Sequence, residues 1–95
     1  MVKNACQLCR REVESGVLER HYVVPKEIIE QAGIPRSKIA RLCPDCHKEL
    51  QRWYASNVAD MTYDNGIKRF RARSPLEMVK EYEIVYQRFA RYKKG

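Results

Sequence analysis

Four cysteines form two pairs, each with two residues between its members, and these pairs are the part of the chain best suited to bind a metal. The pairs are Cys6/Cys9 and Cys43/Cys46, and they include every cysteine of the 95 residues. A two-residue gap lets a tight turn present both sulfurs to one ion, and four thiolates bind zinc as a tetrahedron. Such a site has no open coordination position. The sequence therefore predicts one structural, non-catalytic Zn²⁺ held by these four residues.

Two disulfides are the alternative use of the same cysteines. Paired CxxC motifs, in a chain whose first nine residues contain no apolar segment, are more typical of a reducing compartment and of zinc. Nowhere do 18 apolar residues follow one another, so no membrane span is predicted. We therefore expect a soluble cytoplasmic protein with no membrane partner.

The residues around the cysteine pairs resemble a known nuclease family. The chain contains CQLC, then RHYVVPK, then LCPDCHKEL, and this arrangement over residues 5 to about 54 is similar to the zinc-knuckle branch of the HNH endonucleases, also called ββα-metal nucleases. The resemblance implies a small zinc-stabilised α+β core of the ββα-metal type. It also implies hydrolysis of DNA phosphodiester bonds with a divalent cation that stabilises the charge developing in the transition state.

Carried over by position, the resemblance assigns a role to three side chains. His21 takes the place of a metal ligand, Tyr22 that of the general base, and His47 that of a ligand on the helix after the second cysteine pair. A second divalent cation, which could be Mg²⁺, Mn²⁺, Ni²⁺ or Zn²⁺, would be held by the two histidines. Pro25, three residues after the base position, also matches the family pattern.

Three positions depart from that pattern. A phenol such as Tyr22 is almost fully protonated at neutral pH, whereas an imidazole is mostly a base, and loss of a general base typically costs about 10²–10⁴ in rate. Gln51 stands one turn beyond His47, where other members carry a second helix histidine, and an amide is the weaker ligand for transition metals. The middle asparagine of the pattern is missing from residues 37–42.

Two functions of different classes therefore remain open. The first is an HNH-type endonuclease in which His21 and His47 hold a cation whose bound water needs little help from a protein base. The second is a catalytically inactive zinc-binding module that keeps the scaffold in order to bind nucleic acid or protein. In the second case the histidines have ordinary structural roles, and His47 could cap or cover the zinc site.

A formal net charge of +7 favours a polyanionic partner, and the resemblance points to DNA. Solubility is the competing explanation for a basic surface. Six basic residues are candidates for sequence-independent phosphate contacts. Two follow the second cysteine pair and four lie in an acid-free stretch: Lys48, Arg52, Lys68, Arg69, Arg71 and Arg73.

The elements that must position these residues are short. We predict a hairpin that starts with the first cysteine pair, a helix over residues 25–32 ended by Gly33, and a helix from Pro44 to about Asn57. Residues 64–66 (Asp-Asn-Gly) indicate a turn before the basic stretch.

Residues 74–77 (Ser-Pro-Leu-Glu) form a capping box that should start a long C-terminal helix ending near Lys93. Its apolar residues recur at spacings of three and four, so they share one face. We expect this face to pack within a single domain, with residues 1–62 as the core and 63–95 as the basic segment and helix. Packing against a second copy is the alternative, and a monomer is the prediction. The face consists of Val79, Tyr82, Val85, Tyr86 and Phe89.

Overall fold

The computed structural model describes residues 3–94, which form three two-stranded antiparallel sheets and three α-helices. The fold is mixed α and β and ends in a long helix, as predicted. A 3-10 turn at Ser15–Val17 separates the first two sheets. The elements are β1 (Lys3–Ala5), β2 (Glu12–Glu14), β3 (Glu19–Tyr22), α1 (Lys26–Gln31), β4 (Ile39–Leu42), α2 (Pro44–Asn57), β5 (Met61–Asp64), β6 (Arg69–Ala72) and α3 (Pro75–Lys94).

Both long helices begin where local sequence signals place them. Pro44 opens α2, where its missing N–H removes no helical hydrogen bond, and the helix covers the predicted residues. At the start of α3 the Ser74 Oγ accepts from the Glu77 N–H (3.3 Å), and Glu77 Oε1 accepts from the Ser74 N–H (2.9 Å). This reciprocal pair is the predicted capping box.

The first helix and the first hairpin differ slightly from the prediction. Pro25 is the residue before α1 and not its first residue, and Gly33 follows the helix with φ of 72°, a conformation that glycine adopts without strain. The first cysteine pair lies at the tip of the β1–β2 hairpin and not at its start, because Ala5 pairs with Glu12 on either side of it. The Arg10 N–H closes this tip by donating to the Cys6 carbonyl at 3.0 Å.

The core has two parts, and α3 contributes to both. One cluster surrounds the cysteines and includes Leu42, Leu50 and Phe89, while the other joins Val23, Val24, Ile29 and Val79. The apolar face of α3 therefore packs within the chain. Val79, Val85 and Phe89 are buried, and the two tyrosines of that face are partly buried.

A hairpin that the sequence did not predict connects α2 to α3. Residues 64–66 do form a turn, but the stretch beside it is the paired strand β6, and the predicted domain boundary at residue 62 falls inside β5. Arg71 attaches this hairpin to α3, since its guanidinium donates to Asp64 (2.9 Å) and to both carboxylate oxygens of Glu77 (2.7 and 2.9 Å).

Acid should release this attachment within a defined range of pH. Hydrogen bonds from Arg71 and from the Ser74 backbone hold the pKa of Glu77 at about 2, below its ordinary value of 4.5. Because the folded-state pKa is the lower one, the stabilisation is complete above pH 4.5 and is lost as the pH falls towards 2. We expect the ¹³C carboxyl resonance of Glu77 to titrate near 2 in the native chain and at a clearly higher pH in Arg71→Gln, but still below 4.5, because the hydrogen bonds to Ser74 remain.

Arg69→Gln is the matched control, because Arg69 is exposed on the same strand and forms no ion pair within residues 3–94. The Glu77 midpoint should stay near 2 in this variant. An Arg71→Gln chain that keeps the native midpoint would show that the guanidinium does not hold Glu77.

Candidate metal centre

The four cysteines converge at one point with the geometry of a metal cage. Their sulfur atoms all lie within 4.8 Å of one another, and the Cys9 and Cys43 sulfurs are 3.8 Å apart. Four sulfurs at about 2.3 Å from a central zinc ion would be separated by about 3.8 Å, whereas a disulfide needs about 2.0 Å. The four cysteines could therefore hold a structural metal ion such as zinc, and the disulfide alternative does not fit these distances.

Three different elements bring the cage together. The first pair comes from the β1–β2 tip, Cys43 lies between β4 and α2, and Cys46 belongs to the first turn of α2.

Burial disfavours the charged form of Cys6, but hydrogen bonds from the backbone of Cys43, Cys9 and Leu8 outweigh it and lower the pKa of this thiol to about 6. Burial raises the pKa of Cys46. The backbone thus favours thiolate at one corner, as metal binding requires.

The two histidines lie next to each other, with ring centroids 5.2 Å apart and planes at 66°. Both nitrogens of His47 already have protein partners. Nδ1 donates to Glu19 Oε1 at 2.9 Å, and Nε2 accepts from the Gln51 amide at 3.3 Å. The structure thus brings His21, His47 and Gln51 together, but His47 hydrogen-bonds to Gln51 and Glu19, and His21 to Tyr54.

His21 is the more enclosed of the two, with 7% of its surface exposed. Its Nε2 lies 3.3 Å from the hydroxyl of Tyr54, which donates in turn to the Val23 carbonyl at 2.8 Å. The ring of Tyr86 stacks on the imidazole at 6.4 Å between centroids. Burial, followed by the proximity of His47, lowers the pKa of His21 to about 4, so the ring is neutral at physiological pH. These contacts are those of a hydrogen-bonded core histidine.

Within residues 3–94, the four cysteines are the only group of three or more His, Cys, Asp or Glu side chains with the geometry to hold a metal. The predicted second cation therefore has two imidazoles near each other but no third ligand of these types. Gln51, the weak candidate, instead donates its amide to His47.

Tyr22 occupies the other face of the β3–β4 sheet. Successive side chains of a strand point to opposite faces, so Tyr22, opposite Ile39, is exposed while His21, opposite Ala40, is buried. The residue at the predicted base position is therefore separated from the imidazole pair by the sheet itself.

Sequence reasoning missed Glu19, Tyr54 and Tyr86 as neighbours of the histidines. Two of them could have been found from their spacing. Glu19 lies two residues before His21 on the same strand, and Tyr54 lies two helical turns after His47, so each shares a face with a histidine. The sequence gives no indication that Tyr86 lies near His21, since only the packing of α3 brings it there.

The six predicted phosphate-contact residues divide into two groups. Arg71 is bound by two carboxylates, and Arg73 lies 3.9 Å from Glu81. The remaining four are exposed and form no ion pair within the described part of the chain: Lys48, Arg52, Lys68 and Arg69.

The outer face of the β3–β4 sheet carries two arginines that sequence reasoning did not select. Arg20 and Arg41 are direct cross-strand partners, and both are exposed beside the Tyr22–Ile39 pair. Neither has an acidic partner within ion-pair distance among residues 3–94. Like charges placed directly opposite each other destabilise a sheet. We use "outer face" below for Arg20, Tyr22, Ile39 and Arg41.

Comparison of the chain with known protein families, with curated proteins and with solved structures finds no match. No helix within residues 3–94 combines the length and the apolar character needed to cross a membrane. The function must therefore be inferred from the geometry and chemistry of the chain itself.

Proposed function

We propose that this protein is a zinc-stabilised nucleic-acid-binding module of the HNH type that does not cleave its ligand. The outer face carries the proposal. It places the residue at the family's base position beside a pair of arginines and away from the histidines. A surface of this kind can bind phosphate, whereas a nuclease would need the base beside the metal ligands.

The zinc ion has a structural role in this proposal. Four thiolates complete its coordination, so it would link the β1–β2 tip to the start of α2 and supply no site for water or substrate. The order of β3, β4 and α2, two antiparallel strands followed by a helix, supports the resemblance to the ββα-metal nucleases. Family membership remains part of the proposal.

The electrostatics of the surface support a polyanionic ligand. Six of the 19 lysine and arginine side chains form ion pairs within residues 3–94, and the other 13 are exposed. The guanidinium group binds phosphate oxygens with two parallel hydrogen bonds. A bound phosphate would also remove the repulsion between Arg20 and Arg41. Such contacts are independent of base sequence.

The histidines hold the sheet to α2 in this proposal. Glu19 and His47 connect β3 to the helix, and His21 reaches the same helix through Tyr54. Burial raises the pKa of Tyr54, so its hydroxyl stays protonated and donates to the Val23 carbonyl. A cation between the imidazoles would have to displace these hydrogen bonds.

Replacement of both outer-face arginines should weaken nucleic-acid binding in a salt-dependent way. We expect the double variant Arg20→Gln/Arg41→Gln to bind a duplex DNA oligonucleotide roughly tenfold or more weakly, and the slope of log K against log salt to fall by about 2, because two phosphate contacts are lost. Fluorescence anisotropy at several salt concentrations measures both quantities.

The control is Arg88→Gln/Arg91→Gln, which removes the same charge from exposed, unpaired positions on α3. This variant should retain most of the affinity. Equal losses in the two variants would mean that net charge, and not the outer face, accounts for binding. No salt-sensitive binding by the native chain would refute the proposed function.

A metal-dependent nuclease is the second candidate function, and the proximity of the two imidazole rings favours it. We expect no nicking of supercoiled plasmid by the native chain with Mg²⁺, Mn²⁺ or Ni²⁺. Tyr22→His should also be inactive, because residue 22 lies on the face opposite His21. Metal-dependent nicking that is lost in His47→Ala, at unchanged zinc content, would establish the nuclease instead.

A further inference from the structure

The β5–β6 hairpin turns its apolar side to solvent. Tyr63 pairs with Phe70, and Met61 with Ala72, so these four residues share one face. Tyr63 is 50% exposed, Phe70 66% and Met61 48%.

Asp64, Arg69 and Arg71 lie on the opposite face, where Arg71 binds Asp64 and Glu77. A hairpin usually buries its apolar face against the core and leaves the polar face in water. In this hairpin the apolar side chains are exposed, and the opposite face makes the polar contacts with α3.

The hairpin stands outside the two core clusters, neither of which includes any of its residues. Polar contacts anchor its base, since the Arg73 N–H donates to the Asp60 carbonyl at 2.7 Å and Arg71 binds Glu77 on α3. The chain is elongated, with principal extents of 57 × 30 × 15 Å. We call residues 61–72 the hairpin arm.

The hairpin arm combines an exposed aromatic face with unpaired positive charge at its turn and on its other face. The rings of Tyr63 and Phe70 are 5.4 Å apart between centroids and meet edge to face at 73°. Lys68, in the turn that joins the two strands, is exposed and unpaired within residues 3–94, and Arg69 is exposed and unpaired on the opposite face. The arm's only carboxylate, Asp64, lies on the opposite face and is neutralised by Arg71. The aromatic face is thus free of negative charge.

We infer that the hairpin arm binds unpaired bases of single-stranded nucleic acid. Tyr63 and Phe70 supply the surfaces on which bases stack, and Lys68, in the adjoining turn, contacts a neighbouring phosphate. Aromatic side chains flanked by basic residues bind single strands in this way because every base presents a flat face. The inference rests on the proposed function and adds to it a preference for unpaired strands.

A second copy of the chain is a poorer occupant of this face. Its half-exposed side chains offer about 400 Å² of apolar surface in total. A stable protein interface needs about 800 Å² from each partner. Stacked bases need no continuous large area, because each ring can bind one base independently.

The test compares a single-stranded and a duplex DNA oligonucleotide of equal length at one salt concentration. The double variant Tyr63→Ala/Phe70→Ala should bind the single strand roughly tenfold or more weakly, with duplex affinity within about twofold of native. Tyr63→Phe/Phe70→Tyr, which keeps both rings, should retain single-strand binding. Leu76→Ala/Tyr92→Ala removes two exposed apolar side chains outside the arm and should change neither affinity.

The outcomes separate this inference from the proposed function. If the arm variant binds both ligands like the native chain while the outer-face variant is impaired, the arm does not bind bases and the proposed function stands. If the native chain binds neither ligand, the proposed function fails and the inference with it. If sedimentation shows a native dimer that the arm variant abolishes, the face belongs to a second copy and the inference is wrong.

Discussion

Substitution of Cys43 by serine is expected to abolish cooperative folding, and chelation of the metal should have the same effect. Cys43 is buried in the larger core cluster, beside residues from β4, α2 and α3. A structural zinc ion contributes about 10–16 kcal/mol in small zinc domains, which is as large as the whole stability of a typical domain. Far-UV circular dichroism should show loss of helix, and metal analysis of the native chain should give one zinc per chain.

Cys9→His provides a matched control at the half-exposed corner of the cage. A site of three thiolates and one imidazole also binds zinc, so this variant should keep the metal and the fold, whereas Cys9→Ala should lose metal affinity. Returning Zn²⁺ to the chelated native chain should restore the spectrum. A zinc-free chain with the native spectrum and melting temperature would contradict a structural metal.

Replacement of Phe89 by alanine should cause the second-largest loss, about 3–5 kcal/mol in the free energy of unfolding. Phe89 is fully buried on α3, and its ring lies 5.1 Å from that of Trp53 on α2. The substitution leaves a cavity between the two long helices, in the core cluster that contains Cys6, Cys43 and Cys46. Urea unfolding of the zinc-loaded protein measures the loss.

Phe70→Ala makes the same chemical change on the exposed face of the hairpin arm. It should cost at most about 0.5 kcal/mol, because little apolar contact is lost at an exposed site. Equal losses in the two variants would show that α3 is not packed on α2 through Phe89.

Short-range signals predicted the cysteine cage and the long helices. The CxxC spacing, Pro44 at the start of α2 and the box formed by Ser74 and Glu77 each act over a few residues. The local structures that these signals specify therefore depend little on the rest of the chain. The apolar face of α3 was predictable for a related reason, since helical geometry alone aligns residues three and four apart.

The hairpin arm was not predictable in the same way. Its strands put Met61, Tyr63 and Phe70 towards solvent, so the usual rule that apolar faces are buried gives the wrong orientation. Arg71 lies in a run of cations that is typical of phosphate binding. Its partners Asp64 and Glu77 come from the neighbouring strand and from α3, and only the fold brings all three together.

The candidate site shows the same division. The two histidines lie next to each other, and their hydrogen bonds to Glu19 and Tyr54 depend on how β3 packs on α2. The opposite orientations of Tyr22 and His21 follow from strand alternation once β3 is known. The pairing of Arg20 with Arg41 needs the register between β3 and β4, which are separated by α1.

By itself, the sequence determined which four cysteines could hold a metal ion, the basic character of the chain and the ends of its long helices. These depend on residue type and on spacings of a few residues. Tertiary structure alone decided which basic residues stay unpaired, which face Tyr22 occupies and that the aromatic side of the hairpin arm lies in solvent. Each of these depends on strand register and on contacts between segments distant in the chain, and short-range physical rules do not encode them.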